Sequence, residues 1–231
     1  MKKLFVFLLI FTLCLGGLAG CSKEDAQLAE QVRQYRAAKM QTYATENEKY
    51  ADYEVDVAFL GDSLTDGYPL EKFYPQYLVS NRGIGGETTT GLLERMQISV
   101  YDLKPKVAVM LIGANNMDKM FDDYEQLLSG LQQNLPKTKV VILSLTSMGQ
   151  EWGKKNQLAA YNNARIKLLA EKYGYEFVDL FSPLMDVTTG EIRPEYTTDG
   201  GHLTELGYEV LTAQVTPAIE KQLAAWTAEQ E

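Results

Sequence analysis

From Asp52 onward the chain alternates short apolar runs with longer stretches in which apolar residues recur every three or four positions. The short runs fall at 55–60, 78–80, 107–112, 140–145 and 176–180. Their length and nearly continuous apolar character fit strands buried on both faces. The stretches between them, roughly 69–77, 88–102, 120–134 and 156–173, predict helices, and a last one begins near 205. Strands separated by helices predict an α/β fold with a five-stranded parallel sheet covered on both sides. Residues 23–50 read differently: they are polar and helix-favouring, with Leu28, Val32, Tyr35, Met40 and Tyr43 spaced loosely at three to five. This predicts a helix joining the N-terminal segment to the domain, its apolar stripe docked on that domain.

The N-terminal segment has its own pattern. Met1-Lys2-Lys3 is followed by an almost wholly apolar run over residues 4–15 and then by Leu18-Ala19-Gly20-Cys21. A basic end, a short apolar stretch and small residues at its close predict a secretory signal over residues 1–20 rather than a spanning helix. The tetrad ending at Cys21 resembles the lipobox of bacterial lipoproteins. That resemblance implies lipidation of Cys21 and an exported protein anchored to the bacterial cell membrane or envelope. An uncleaved anchor and a soluble secreted protein are the alternatives. Residues 21–52 would then be tether and helix, and 53–226 the folded domain.

Composition narrows the chemistry. Both cysteines, Cys14 and Cys21, lie in or at the end of the signal, so the domain has no thiol nucleophile, disulfide or cysteine-held zinc. Removing residues 1–20 deletes two lysines and no acids, taking the balance from 22 bases against 31 acids to 20 against 31, or −11. Such a charge argues against nucleic acid as a partner. The chain also has a single histidine, His202. Histidine is the side chain best matched to general-base work near neutral pH, so there is one place for an imidazole base.

Ligands of open α/β sheets bind outside the carboxyl ends of the strands, so the residues just beyond each strand are the first candidates for a site. After the first strand comes Gly61-Asp62-Ser63-Leu64-Thr65, and after the second Asn81-Arg82-Gly83-Ile84-Gly85-Gly86-Glu87. After the third comes Gly113-Ala114-Asn115-Asn116, while Asp199-Gly200-Gly201-His202 precedes the last helix. A serine at a strand-to-helix turn presents its hydroxyl and its N–H at a helix start, where an oxyanion is favoured; Ser63 could equally cap that helix. Thr65 replaces the second glycine of the G-x-S-x-G elbow, against an ordinary α/β-hydrolase. The run after the second strand lacks the last glycine of the dinucleotide fingerprint and any Walker lysine, so a phosphate-binding cofactor carrier is poorly supported. Its glycines would instead let a backbone N–H approach a reacting oxygen. Asn115 could aim an amide at the same point or merely tie its own turn. Asp199 and His202, three apart, can share one face, the carboxylate holding Nδ1 while Nε2 points at Ser63.

Taken in order, Gly-Asp-Ser-Leu, Asn-Arg-Gly-Ile-Gly-Gly, Gly-Ala-Asn-Asn and Asp-Gly-Gly-His resemble the blocks of the SGNH or GDSL esterase and lipase superfamily. The platelet-activating-factor acetylhydrolase-like branch is the most similar, and the resemblance covers nearly all of residues 55–224. It implies a three-layer α/β/α flavodoxin-like fold, no metal and no organic cofactor. Matched position by position, Ser63 is the nucleophile, Asp199 and His202 complete the triad, and Gly86 and Asn115 join Ser63 as oxyanion donors. Asn116 departs from the aspartate found in many members, which bears on the branch more than on the activity. The expectation is hydrolysis of small-acyl or O-acetyl esters, carbohydrate or lipid derived, through an acyl-enzyme. A catalytically silent cell-surface module binding glycans or lipids on the same fold is the rival. Met148 and Trp152, in the loop after the fourth strand, are candidates to line an acyl or sugar site.

Overall fold

The computed structural model describes residues 23–231, so the signal segment and Cys21 lie outside the described residues. Five strands form one all-parallel sheet: β1 (Val57–Gly61), β2 (Val79–Gly83), β3 (Val107–Leu111), β4 (Lys139–Leu143) and β5 (Glu176–Val178). Their spatial order is β2-β1-β3-β4-β5. The chain leaves β1 in one direction to make β2 and crosses back to make β3. The carboxyl ends of β1 and β3 therefore flank the switch point, the usual ligand position in such sheets.

Side chains alternate across the sheet and feed two cores. Leu60, Met110 and Ile142 face one layer with Leu92, Leu127, Leu131 and Ile166. Phe59, Val109, Val141 and Leu143 face the other with Leu64, Tyr74, Leu211 and Val215. Apart from Tyr74, these partners come from α2 (Ser63–Asp66), α4 (Thr89–Glu94), α5 (Tyr124–Asn134), α6 (Asn156–Tyr173) and α8 (Glu205–Ala228). Two short helices, α3 (Leu70–Phe73) and α7 (Phe181–Leu184), complete the layers. The molecule is thus the three-layer α/β/α sandwich that strand–helix alternation predicts.

Differences from the predicted elements have local causes. The helix expected over about 69–77 stops at Phe73 because Tyr74 precedes Pro75, and a residue before proline is pushed out of the helical region. The stretch expected as one helix over about 88–102 is α4 followed by a π turn, Gln97–Tyr101, with Asp102 N–H reaching back to Gln97 O at 2.9 Å. Apolar spacing does not distinguish an i→i+5 turn from a continuing α-helix.

The N-terminal helix, α1 (Lys23–Asn47), docks on the domain with its apolar stripe half-buried or buried, and polar contacts pin it there. Tyr43 is buried and its hydroxyl donates to Gly83 O at 2.6 Å. Asn47 Nδ2 donates to Ile98 O at 2.8 Å, and Glu46 pairs with the buried Arg82 at 3.2 Å. Among the described residues, no helix is long and apolar enough to cross a membrane.

Candidate active site

Ser63 stands at the first turn of α2, immediately beyond β1. Capping falls to its neighbour: the Asp62 side chain accepts from Leu64 N–H at 3.1 Å, so Ser63 Oγ is not used as the cap. Two glycines let α2 press onto the sheet. A β-carbon at Gly61 would meet Leu111 O and Thr65 Oγ1 at 2.3 Å, and one at Gly83 would meet Asp66 N at 2.2 Å. Thr65, at the position where an elbow would carry glycine, fills the space beside Gly61.

His202 and Asp199 come from the loop before α8. Asp199 Oδ1 accepts from the backbone N–H groups of Gly201 at 2.9 Å and His202 at 2.7 Å, while Oδ2 meets His202 Nδ1 at 2.7 Å. Burial alone would raise the Asp199 carboxyl, but these hydrogen bonds outweigh it and hold the group down at about 2. The carboxylate fixes the proton on Nδ1, leaving Nε2 to accept from Ser63 Oγ–H at 3.1 Å. Gly200, with φ of 86°, permits the turn and the close approach of Gly149, whose N–H donates to Gly200 O at 2.9 Å. Thr204 caps α8 through Gly207 N–H at 3.1 Å.

The segment after β2 turns tightly, Glu87 N–H donating to Ile84 O at 3.2 Å with Gly86 at φ 76°. A positive φ at this corner is glycine's conformation. Three groups brace the turn. Gly85 N–H donates to Asp66 Oδ2 at 2.9 Å, and Asp66 in turn takes Tyr35 Oη–H at 2.5 Å and Lys39 at 2.8 Å from α1. Glu87 pairs with the buried Arg95 at 2.8 Å and with Arg36 of α1 at 3.4 Å. Asn115 Nδ2 donates one N–H to Glu87 O at 2.9 Å, which leaves the second N–H of that amide to serve another acceptor. Asn116 holds the start of α4, with Nδ2 to Thr89 Oγ1 at 2.8 Å and Oδ1 from Thr89 N–H at 3.3 Å.

Above these groups lies a cleft of about 40 Å³ lined by Ser63, His202, Asn115, Met148, Trp152 and Lys155, with Leu64, Ala114 and Thr146 on its walls. Met148 and Trp152, the loop residues expected to line an acyl or sugar site, are both buried in its wall. Asp62, Lys155 and the Glu87–Arg95 pair escaped sequence reasoning. Asp62 was visible as the residue before the serine, but nothing marks it as fully buried, a position that pushes its carboxyl up to about 6. Among the described residues no group of three or more histidine, cysteine, aspartate or glutamate side chains is arranged to hold a metal ion.

A doubly wound sheet carries serine, imidazole and carboxylate in hydrogen-bonded series at its switch point, an arrangement suited to hydrolysis. The family profile for GDSL-like Lipase/Acylhydrolase matches residues 59–210, and the chain belongs to that family. Among solved structures it is similar to a platelet activating factor protein from Streptococcus pneumonia, with TM-score 0.76, 25% identity, and coverage of 86% of this chain and 99% of the other. An acylhydrolase from Bacteroides fragilis superposes with TM-score 0.71 at 28% identity, covering 79% and 96% of the two chains. A GDSL-like lipase from Bacteroides thetaiotaomicron does so with TM-score 0.70 at 29% identity, covering 79% and 97%. Among curated proteins no sequence matches this chain significantly. Family and fold together make the protein an ester hydrolase.

Proposed function

We propose that this ester hydrolase removes small acyl groups through an acyl-serine intermediate formed on Ser63. The observation that carries the reading is the pair of contacts at His202, 3.1 Å to Ser63 and 2.7 Å to Asp199, at the floor of a small, mostly apolar cleft. His202 takes the Ser63 proton as Oγ attacks the ester carbonyl, and Asp199 stabilises the imidazolium. The Ser63 and Gly86 N–H groups and the second N–H of the Asn115 amide receive the oxyanion, the last aimed by Glu87 O. The tetrahedral adduct collapses as His202 returns the proton to the departing alcohol, and water then repeats the cycle on the acyl-serine.

A cleft walled by the buried Met148 and Trp152 side chains favours acetyl over long acyl chains. Acetylated sugars and short-acyl lipid derivatives both satisfy that limit. Comparing acetyl with decanoyl p-nitrophenyl esters tests the size reading, and a preference for decanoyl sinks it. Ser63→Ala should lower kcat by roughly 10³ to 10⁶ and abolish labelling by a fluorophosphonate probe. Wild-type turnover by that variant, or a wild-type protein that binds esters without labelling, would favour the silent binding module instead. The N-terminal pattern supports a lipid anchor at Cys21 on the envelope; incorporation of labelled palmitate that Cys21→Ser fails to eliminate would exclude it.

A further inference from the structure

We propose that Lys155 is a specificity-determining residue that binds an anionic group, a carboxylate or a phosphate, carried by the ester substrate; this rests on the ester-hydrolase reading of the cleft. Lys155 is the one cation among the described residues lining the cleft that holds Ser63 and His202. Its ammonium lies 4.8 Å from the centroid of the Trp152 ring, and that ring is itself buried in the cleft wall. The stacking fixes the charge beside the cleft instead of letting the side chain sweep through solvent.

The surroundings leave that charge uncompensated. No carboxylate among the described residues lies within salt-bridge distance of Lys155; Lys49, Lys119, Lys137, Lys154 and Lys167 share that state, but of these only Lys155 lines the cleft. Glu151, four residues before Lys155, is exposed and forms no ion pair with it among the described residues, and other acids of these loops are committed elsewhere. Glu191, packed against Gly153, accepts from Gln150 N–H at 3.2 Å, Asp62 caps α2, and Asp199 is taken up by His202 and its own loop. Lys155 also stands at the N-cap of the 18-residue α6, where the helix dipole disfavours a cation. An anion bound beside the cleft would neutralise the ammonium at this helix start. A substrate presenting one places its negative charge against Lys155 while its ester carbonyl reaches Ser63.

The test compares 4-acetoxybenzoate and 4-acetoxyphenyl phosphate with neutral methyl 4-acetoxybenzoate, for wild type, Lys155→Ala, Lys155→Glu and Lys155→Arg. The readout is the ratio of kcat/KM for the anionic over the neutral ester, which a general loss of activity does not move. A charge-assisted contact of this kind should make that ratio fall about tenfold in Lys155→Ala and further in Lys155→Glu, mainly through KM, and survive in Lys155→Arg. The carboxylate and phosphate arms show which anion is preferred. A ratio that changes less than twofold in both the alanine and glutamate variants overturns the proposal. Equilibrium binding of 4-acetamidobenzoate against its methyl ester, judged by the same thresholds, separates the two readings. Anion preference lost on Lys155→Ala in a protein that hydrolyses none of the esters would uphold the anion site and overturn the esterase mechanism.

Discussion

Two loops bring chemistry to the rim of the sheet, and they are held in opposite ways. The loop over residues 197–204 is nearly self-sufficient. His202 O accepts from Thr197 Oγ1 and Thr198 N–H, Gly200 N–H reaches Thr197 Oγ1, and Asp199 gathers two backbone donors and the imidazole. The turn over residues 84–87 depends on remote partners: Asp66 from α2, Arg36 from α1, Arg95 beyond α4 and Asn115 beyond β3. A site half local and half remote gains a base whose orientation survives distant changes. Its oxyanion side, by contrast, is exposed to perturbation from helices that never approach a substrate.

The sharpest break falls on the local side. His202→Ala removes the base and the only histidine, and kcat for p-nitrophenyl acetate should fall by roughly 10³ to 10⁶. Asp199→Ala should cost less, because serine, imidazole and oxyanion donors remain. Activity left intact by His202→Ala would end the serine-hydrolase mechanism, since no other imidazole can substitute.

The remote side breaks through folding before chemistry. Arg95→Met leaves the buried Glu87 carboxylate with only the longer contact to Arg36 and removes the donors that bind Gly61 O at 3.0 Å, Arg82 O at 2.9 Å and Ser99 at 2.8 Å. Deleting one partner of a buried pair costs about 3–5 kcal/mol, so the urea midpoint should drop sharply. A midpoint within experimental error of wild type would show that the turn over 84–87 does not depend on this pair.

Asn115→Ala tests the same side without that collapse. It deletes one oxyanion donor and the hydrogen bond to Glu87 O, and should lower kcat about 10²- to 10³-fold with little change in KM. A rise in KM at constant kcat would make Asn115 a substrate-binding group, and the proposed oxyanion hole would lose its side-chain member.

The same contrast explains which parts of the molecule are legible in the chain. Asp199 and His202 are, because their contact spans three residues and is flanked by glycines and a threonine cap. The five strands are too, because the apolar runs differ little from the observed strands, although burial on both faces holds for β1, β3 and β4 and not for β5, which is half-buried throughout. Glu87 is visible only as the end of a glycine-rich run. Its partner Arg95 lies in what reads as an ordinary helix, and no period marks a guanidinium for burial. The docking of α1 is written in its apolar stripe, but not its ion pairs to Asp66 and Glu87, which depend on the sheet bringing distant turns together.

Asp62 sharpens the comparison because its carboxyl feels both loops. Burial pushes it up to about 6, the Leu64 N–H and a charged His202 pull it down, and Glu87 pushes it up again. Between the unfolded value near 3.8 and about 6 the native protein binds more protons at this site than the unfolded chain. Asp62 therefore costs stability at neutral pH, and that cost is relieved as pH falls through the window. Asp199 has the opposite sign: held at about 2, it contributes stability that is full above 3.8 and is lost as pH falls toward 2. Asp62→Asn keeps an oxygen to cap α2 and removes the buried charge. It should raise stability at pH 7.5 by ~1 kcal/mol, with the gain vanishing near pH 4. Urea midpoints for the two proteins at both pH values check this. If their stabilities run parallel across the window, the Asp62 carboxyl is not the strained group beneath Ser63, and the electrostatic link between the two loops must run elsewhere.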